Sequence, residues 1–282
     1  MSLDHGAEAD LKSRALINGV EIAWDEWGPR TGSPLVLAHG FSGGAHDFAL
    51  QIPALSRSRR VIAFDHRGHG MSTKTRKLEG YTIDQLVADL TSFLETVADR
   101  PVNLLGHSMG GRVALGVVLA RPDLIGSLIL MDTTASRFEL SNSRREQAIA
   151  AFFAGLDPAA GVPDMTMRGP EELLIEKSTP SAWRNRKNEF TAGLDPFAIK
   201  ALGTALFAGE VESVEPLLGQ IHCPVTVIVG SEDHPFVDHA PALIAGISGA
   251  ALVVIDGAYH SPQLTHADQW LRVVEAHLAS LD

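Results

Sequence analysis

Cysteine is almost absent: Cys223 is the only one in 282 residues. No internal disulfide can form, so nothing in the chain needs an oxidising compartment. Long apolar runs are missing as well, and none approaches the roughly 20 residues that span a bilayer. Positive charge is in deficit, with 23 Lys+Arg against 34 Asp+Glu and a formal net charge of −11. That acidic surplus repels phosphate backbones, so no nucleic-acid partner is expected. Residues 1–14 are polar and acidic and lack the basic start and apolar stretch of a signal peptide, which gives a cytoplasmic expectation with no membrane partner. No internal repeat or low-complexity tract is present. The 45% hydrophobic and 20% charged residues sit near the globular average and exclude wholesale disorder. A chain of this length buries a sizeable core, in one large α/β domain or two smaller ones.

Short β-rich runs alternate with longer helical patterns. Arg14–Ile17 and Val20–Trp27 flank Asn18-Gly19, a dipeptide suited to a type I′ hairpin turn. Leu35–Ala38, Val61–Phe64 and Val102–Leu105 are compact apolar runs, as expected of strands buried on both faces. Between the last two, Ile83, Leu86, Val87, Leu90, Phe93, Leu94 and Val97 fall on one helical face, with Thr82 placed to cap it. Ser127–Met131, Val225–Val229 and Leu252–Ile255 read as further strands, and Ala267–Leu281 as a closing helix. The alternation predicts a mostly parallel central sheet with helices on both faces.

Residues 137–214 break the rhythm. Their pattern is helical and cut into short pieces by Pro158, Pro163, Pro170, Pro180 and Pro196. The segment holds 9 basic and 11 acidic residues, so nearly all of the negative charge lies outside it. The expected division is a discontinuous core, 1–136 and 215–282, with an inserted helical lid over 137–214. Peripheral packing without a functional role is the alternative.

The strongest chemical signal is Gly106-His107-Ser108-Met109-Gly110-Gly111, which follows one predicted strand and opens a helix running to about Arg121. This is the G-x-S-x-G nucleophile elbow in its strand-turn-helix context. A serine in so tight a turn projects its hydroxyl from the sheet edge, and the glycines leave room where larger residues collide.

With that motif in place, the chain resembles the α/β-hydrolases over nearly its whole length. His39-Gly40-Phe41 resembles the family's oxyanion loop, and Asp65-His66-Arg67-Gly68-His69-Gly70-Met71-Ser72 its loop after the next strand. The family order of serine, acid and histidine then points to Asp233 in Gly230-Ser231-Glu232-Asp233 and to His260 in Gly257-Ala258-Tyr259-His260. Asp132, directly after another strand, stays as the alternative acid, and Glu232 is a weaker one. The chemistry needs each type: an imidazole to take the serine proton, a carboxylate to fix its tautomer, and two donors for the oxyanion. The resemblance assigns those donors to the backbone N–H groups of Met109 and Phe41.

Substrate contacts are expected from His39, Gly40, Phe41 and His107, and from Phe152 and Trp183 in the lid, where Phe153 and Phe190 are further candidates for an apolar pocket roof. His66 and His69 read as support for the oxyanion loop. Without H-E-x-x-H or a cysteine pair, no metal is assigned, and no cofactor is expected. Arg184, Arg186 and Lys187 read as a solvated helix surface, with a role facing a substrate carboxylate as the alternative. The reaction implied is hydrolysis of a small carboxylic ester or lactone through an acyl-serine. Carbon–carbon hydrolysis of a diketone-like compound, amide hydrolysis, perhydrolysis and lyase chemistry use the same machinery and stay open. So does a receptor that keeps the fold for binding. A serine at the elbow argues against the epoxide hydrolase and haloalkane dehalogenase branches, which carry aspartate there. The sequence does not specify an oligomeric state.

Overall fold

Alternation within the strands sets the layers. In Leu35–Ala38, Leu35 and Leu37 face one core, while Val36 and Ala38 face the other. All four are fully buried, as a strand covered on both faces requires. The computed structural model describes residues 11–136, 144–164, 169–209, 211–234 and 236–281. Most of the polar N-terminus and the expected start of the insert at 137 lie outside these.

Eight strands form one sheet: β1 (Ser13–Ile17), β2 (Val20–Trp27), β3 (Leu35–Ala38), β4 (Val61–Phe64), β5 (Val102–His107), β6 (Ile125–Met131), β7 (Val225–Gly230) and β8 (Ala251–Ile255). Their spatial order is β1-β2-β4-β3-β5-β6-β7-β8. β2 pairs antiparallel with both β1 and β4, and every other pair is parallel. The first hairpin turns through Asn18 (φ 46°) and Gly19 (φ 79°), the positive pair a type I′ turn demands.

The helices are α1 (Ile52–Leu55), α2 (Ile83–Val97), α3 (Met109–Ala120), α4 (Arg144–Gly155), α5 (Pro170–Ser178), α6 (Ser181–Ala192), α7 (Pro196–Phe207), α8 (Phe236–Gly246), α9 (Pro262–Thr265) and α10 (Ala267–Ala279). Thr82 caps α2 by accepting from the Gln85 N–H, as its sequence position predicts. One core packs Leu86 and Leu90 of α2, Val113 and Val117 of α3 and Leu243 of α8 on the sheet. The other packs Ile52 and Leu55 of α1 and Trp270, Val274 and Leu278 of α10 on the opposite face. Among the described residues, no helix is long and apolar enough to cross a membrane.

Helices α4 to α7 fill the interval between β6 and β7 and are pinned to the core at two places. On α6, Trp183 is buried and stacks on His46 at 5.0 Å. Its indole N–H donates to the His46 carbonyl (3.0 Å), and His46 Nε2 donates back to the Trp183 carbonyl (2.9 Å). Beside it Lys187 pairs with Asp47 at 2.5 Å. At the start of α7, Asp195 caps the helix through the Phe197 N–H (3.0 Å). Its other oxygen accepts from the Tyr81 hydroxyl (2.6 Å) and the Arg76 N–H (2.8 Å), and its backbone N–H donates to Gly68 (3.0 Å).

Candidate active site

β5 ends at His107 and α3 begins at Met109, so Ser108 alone makes the turn. Its backbone sits at φ 53°, ψ −117°, a region that side chains disfavour. The surroundings hold it there. Its N–H donates to Met131 (2.8 Å), and its carbonyl accepts from Gly111, Arg112 and the Thr133 hydroxyl. The glycines are steric necessities: a Cβ on Gly106 would lie 2.5 Å from the Gly110 carbonyl oxygen, and one on Gly110 only 2.3 Å from that of Ala38.

The loop after β3 closes on this turn. A Cβ on Gly40 would lie 3.2 Å from Ser108 Cβ, so the chain passes directly over the serine. No backbone acceptor among the described residues takes the N–H of Phe41 or Met109. The Asp65 loop braces this arrangement from behind. Asp65 accepts from the Ala45 and Met71 N–H groups at 2.8 and 2.7 Å, and burial raises its pKa. The His66 N–H donates to His39 Nε2 (2.9 Å), while His39 Nδ1 donates to the Gly40 carbonyl (2.8 Å). Burial pushes His39 down to about 3 and His69 to about 4, so both are neutral struts under the loop.

His260 arrives on the loop after β8. Its Nδ1 donates to Asp233 Oδ2 at 2.7 Å, which leaves Nε2 as the free base. His107, next to Ser108, donates from Nε2 to the His260 carbonyl (2.8 Å), with the two rings 4.9 Å apart. Burial and the neighbouring His260 push His107 to about 3, which makes it a neutral brace for the His260 loop. Burial alone would depress His260. The charge and hydrogen bond of Asp233, with the Glu171 carboxylate farther off, outweigh it and leave the imidazole above its ordinary value. Burial would conversely raise Asp233, but the charge and hydrogen bond of His260, with the neighbouring Asp132 side chain, hold it below the usual carboxylate range.

Asp132 lies at the end of β6, 1% exposed, with Oδ1 accepting from the Gly230 N–H at 2.9 Å. It therefore stands behind Asp233. Glu171 on α5, which no motif in the sequence singles out, lies beside Ser261 and within electrostatic reach of His260.

Of the aromatic candidates in the insert, Phe153 and Trp183 are buried and Phe152 is not. Phe152 is 43% exposed, and its neighbour Phe153 is the buried ring. Phe153 and Phe207 stack at 5.2 Å, and both meet Phe41 edge-on, at 5.5 and 5.8 Å. Trp183 is spent on His46 and so serves as an anchor to the core. Of the basic trio, Lys187 is paired with Asp47, Arg186 with Glu189, and Arg184 donates to backbone carbonyls at the end of α5. Among the described residues, no group of three or more His, Cys, Asp or Glu is arranged to hold a metal ion.

Comparison with known proteins places the chain. It is 31% identical over 229 residues to the dihydrolipoyllysine-residue acetyltransferase component of the acetoin cleaving system of Pseudomonas putida, covering 80% of this chain and 59% of that one. This chain thus spans under two thirds of that relative's length. It is 34% identical over 259 residues to a putative carbamate hydrolase of Stutzerimonas stutzeri, covering 87% of this chain and 91% of the relative. A crystal structure of a hydrolase from Pseudomonas aeruginosa superposes with a TM-score of 0.77 at 24% identity, covering 96% of this chain and 99% of that one. The alpha/beta hydrolase fold profile matches residues 33–267, and the chain belongs to that family.

Proposed function

We propose that this protein is a serine hydrolase that cleaves a small carboxylic ester or lactone through an acyl-serine intermediate. The observation that carries the reading is the strained Ser108 turn, with a 2.7 Å bond from His260, on the loop braced by the adjacent His107, to Asp233 after β7. Ser108 attacks the acyl carbon while His260 Nε2 takes its proton. His260 then returns the proton to the leaving group, and Asp233 fixes the tautomer and stabilises the imidazolium. The N–H groups of Met109 and Phe41 serve the oxyanion. Water repeats the sequence to release the acid.

In this reading the 137–214 insert is a lid. Its Phe153 and Phe207, closed on Phe41, limit the acyl group to a small one. A carbamate in place of the ester is a second reading, favoured by the 34% identity to the putative carbamate hydrolase.

Turnover of p-nitrophenyl acetate and butyrate tests the proposal. Ser108→Ala is expected to lower kcat by on the order of 10⁴ to 10⁶, as for groups acting as a unit. A phosphonate probe is expected to label the wild type and not this variant. A residual rate near wild type would sink the mechanism.

A further inference from the structure

We propose that Asp132 is a neutral carboxylic acid whose proton is shared with Asp233, making it a positioning residue that acts on His260 through Asp233. The inference rests on the role assigned to His260 and Asp233 above. Three observations carry it. The Asp132 side chain is 1% exposed at the end of β6, beside β7, and Oδ1 is already taken by the Gly230 N–H at 2.9 Å. Oδ2 is buried and finds no donor among the described residues. Asp233 turns back on the same Gly230, its N–H donating to the Gly230 carbonyl at 3.2 Å, which sets its carboxylate, itself only an acceptor, beside the Asp132 carboxyl group.

Two ionised carboxylates cannot share such a site. A buried oxygen without a donor and a like charge in contact are both costly, and one proton removes both costs. The proton belongs on Asp132, because Asp233 already receives the His260 Nδ1–H and its charge faces that imidazole. Burial and the Asp233 charge accordingly push Asp132 well above the carboxylate range. The groups facing the pair are few: Glu171 from α5, and His260 and His107 on the Asp233 side.

The arrangement does two things. Asp233 is held from behind, so its oxygen stays aligned with Nδ1. Its basicity is also moderated by the donated hydrogen bond, so it raises the His260 pKa less than a bare carboxylate would. The sequence alternative, Asp132 as the ionised acid, fits the geometry poorly, since Asp132 stands behind Asp233 instead of against the imidazole.

Asparagine discriminates, because it copies the neutral acid: its carbonyl accepts from Gly230 and its amide donates to Asp233. Leucine fills the volume and donates nothing. His260 is titrated by NMR of its ring proton in the Ser108→Ala background, so the readout needs no turnover. Its pKa is expected to be unmoved by Asp132→Asn and raised by Asp132→Leu. In the active enzyme, Asp132→Leu is expected to lose about 10- to 100-fold in kcat at little change in KM. Asp132→Asn is expected to stay within about tenfold of wild type. A loss near 10⁴ with the fold intact in Asp132→Asn would instead identify Asp132 as the ionised acid, as in a triad left with the wrong tautomer. An unshifted His260 in Asp132→Leu, or equal impairment in both variants, also overturns the proposal. Where the leucine variant fails to fold, an altered His260 titration in Asp132→Asn overturns it and an unaltered one supports it. Failure of probe labelling in the wild type counts against the hydrolase reading and leaves the titration result standing.

Discussion

Replacing Ser108 with glycine is expected to make the protein more stable than replacing it with alanine, although both variants lose the hydroxyl. At φ 53°, ψ −117° an L-residue is strained, and the cost of such a conformation is about 1–3 kcal/mol. Alanine keeps that strain and glycine sheds it. Against this, glycine's extra freedom in the unfolded chain costs about 0.4–1 kcal/mol relative to alanine. No helix-interior penalty applies, because Ser108 is the N-cap of α3, where glycine is tolerated, and its side chain makes no capping bond. Taken at the middle of both ranges, the balance favours glycine by about 1.3 kcal/mol. At about 2–4 °C per kcal/mol for a large domain, the melting temperature of the glycine variant should exceed that of alanine by about 3–5 °C. Circular dichroism melts of the two variants at matched pH and scan rate give the difference, and urea midpoints provide a second measure. A glycine variant that melts with or below alanine would show that the turn stores less than about 1 kcal/mol of strain.

Activity should follow the neutral form of His260, so the rate falls as pH drops through a pKa raised above the ordinary ~6.5. Glu171→Gln removes one of the charges that raise it, and the acid limb of kcat/KM should move to lower pH. An unmoved or rising midpoint contradicts the electrostatic role given to Glu171. Gly110→Ala would push a Cβ to 2.3 Å from the Ala38 carbonyl oxygen and 2.6 Å from that of His39, both backbone atoms with little room to yield. Soluble expression should drop, or the folded fraction should lose about 100-fold in kcat as the loop after β3 shifts, and normal activity would refute the close approach. Trp183→Ala deletes a ring that joins α6 to the core, a change costing about 3–5 kcal/mol at a core site. Limited proteolysis should then cut the inserted helices faster than in wild type, and unchanged protection would show that the anchor lies elsewhere.

The sheet was legible because buried parallel strands leave a coarse mark: Leu35–Ala38 and Val61–Phe64 are continuous apolar runs whose observed limits match the pattern. The elbow was legible for a different reason. Gly106 and Gly110 answer to backbone atoms of the turn and of the strand beside it, and Gly111 to the Thr133 side chain. Within the insert the pattern carried less. Phe152 and Phe153 are adjacent on α4, so a turn of roughly 100° decides which one is buried, and that depends on where α7 lies. Gly203 on α7 is where Phe153 packs, and nothing near residue 153 announces it. The two aspartates were equally placed at strand ends, and only the adjacency of β6 and β7 sets one behind the other. Glu171 carries no motif, since its significance comes from α5 packing against α9, just after His260.

The two anchors of the insert also dictate an order of assembly. The Tyr81–Asp195 and Arg76–Asp195 bonds join residues 114 and 119 apart, and the His46–Trp183 and Lys187–Asp47 contacts span 137 and 140. Ends so distant meet at a high entropic cost unless the core has already drawn them together. Asp195 can cap α7 locally, but its second oxygen is satisfied only by loops that follow β4. The helices therefore dock after the sheet has formed. In refolding, fluorescence from Trp183 should lag behind the amide protection of β3 to β6.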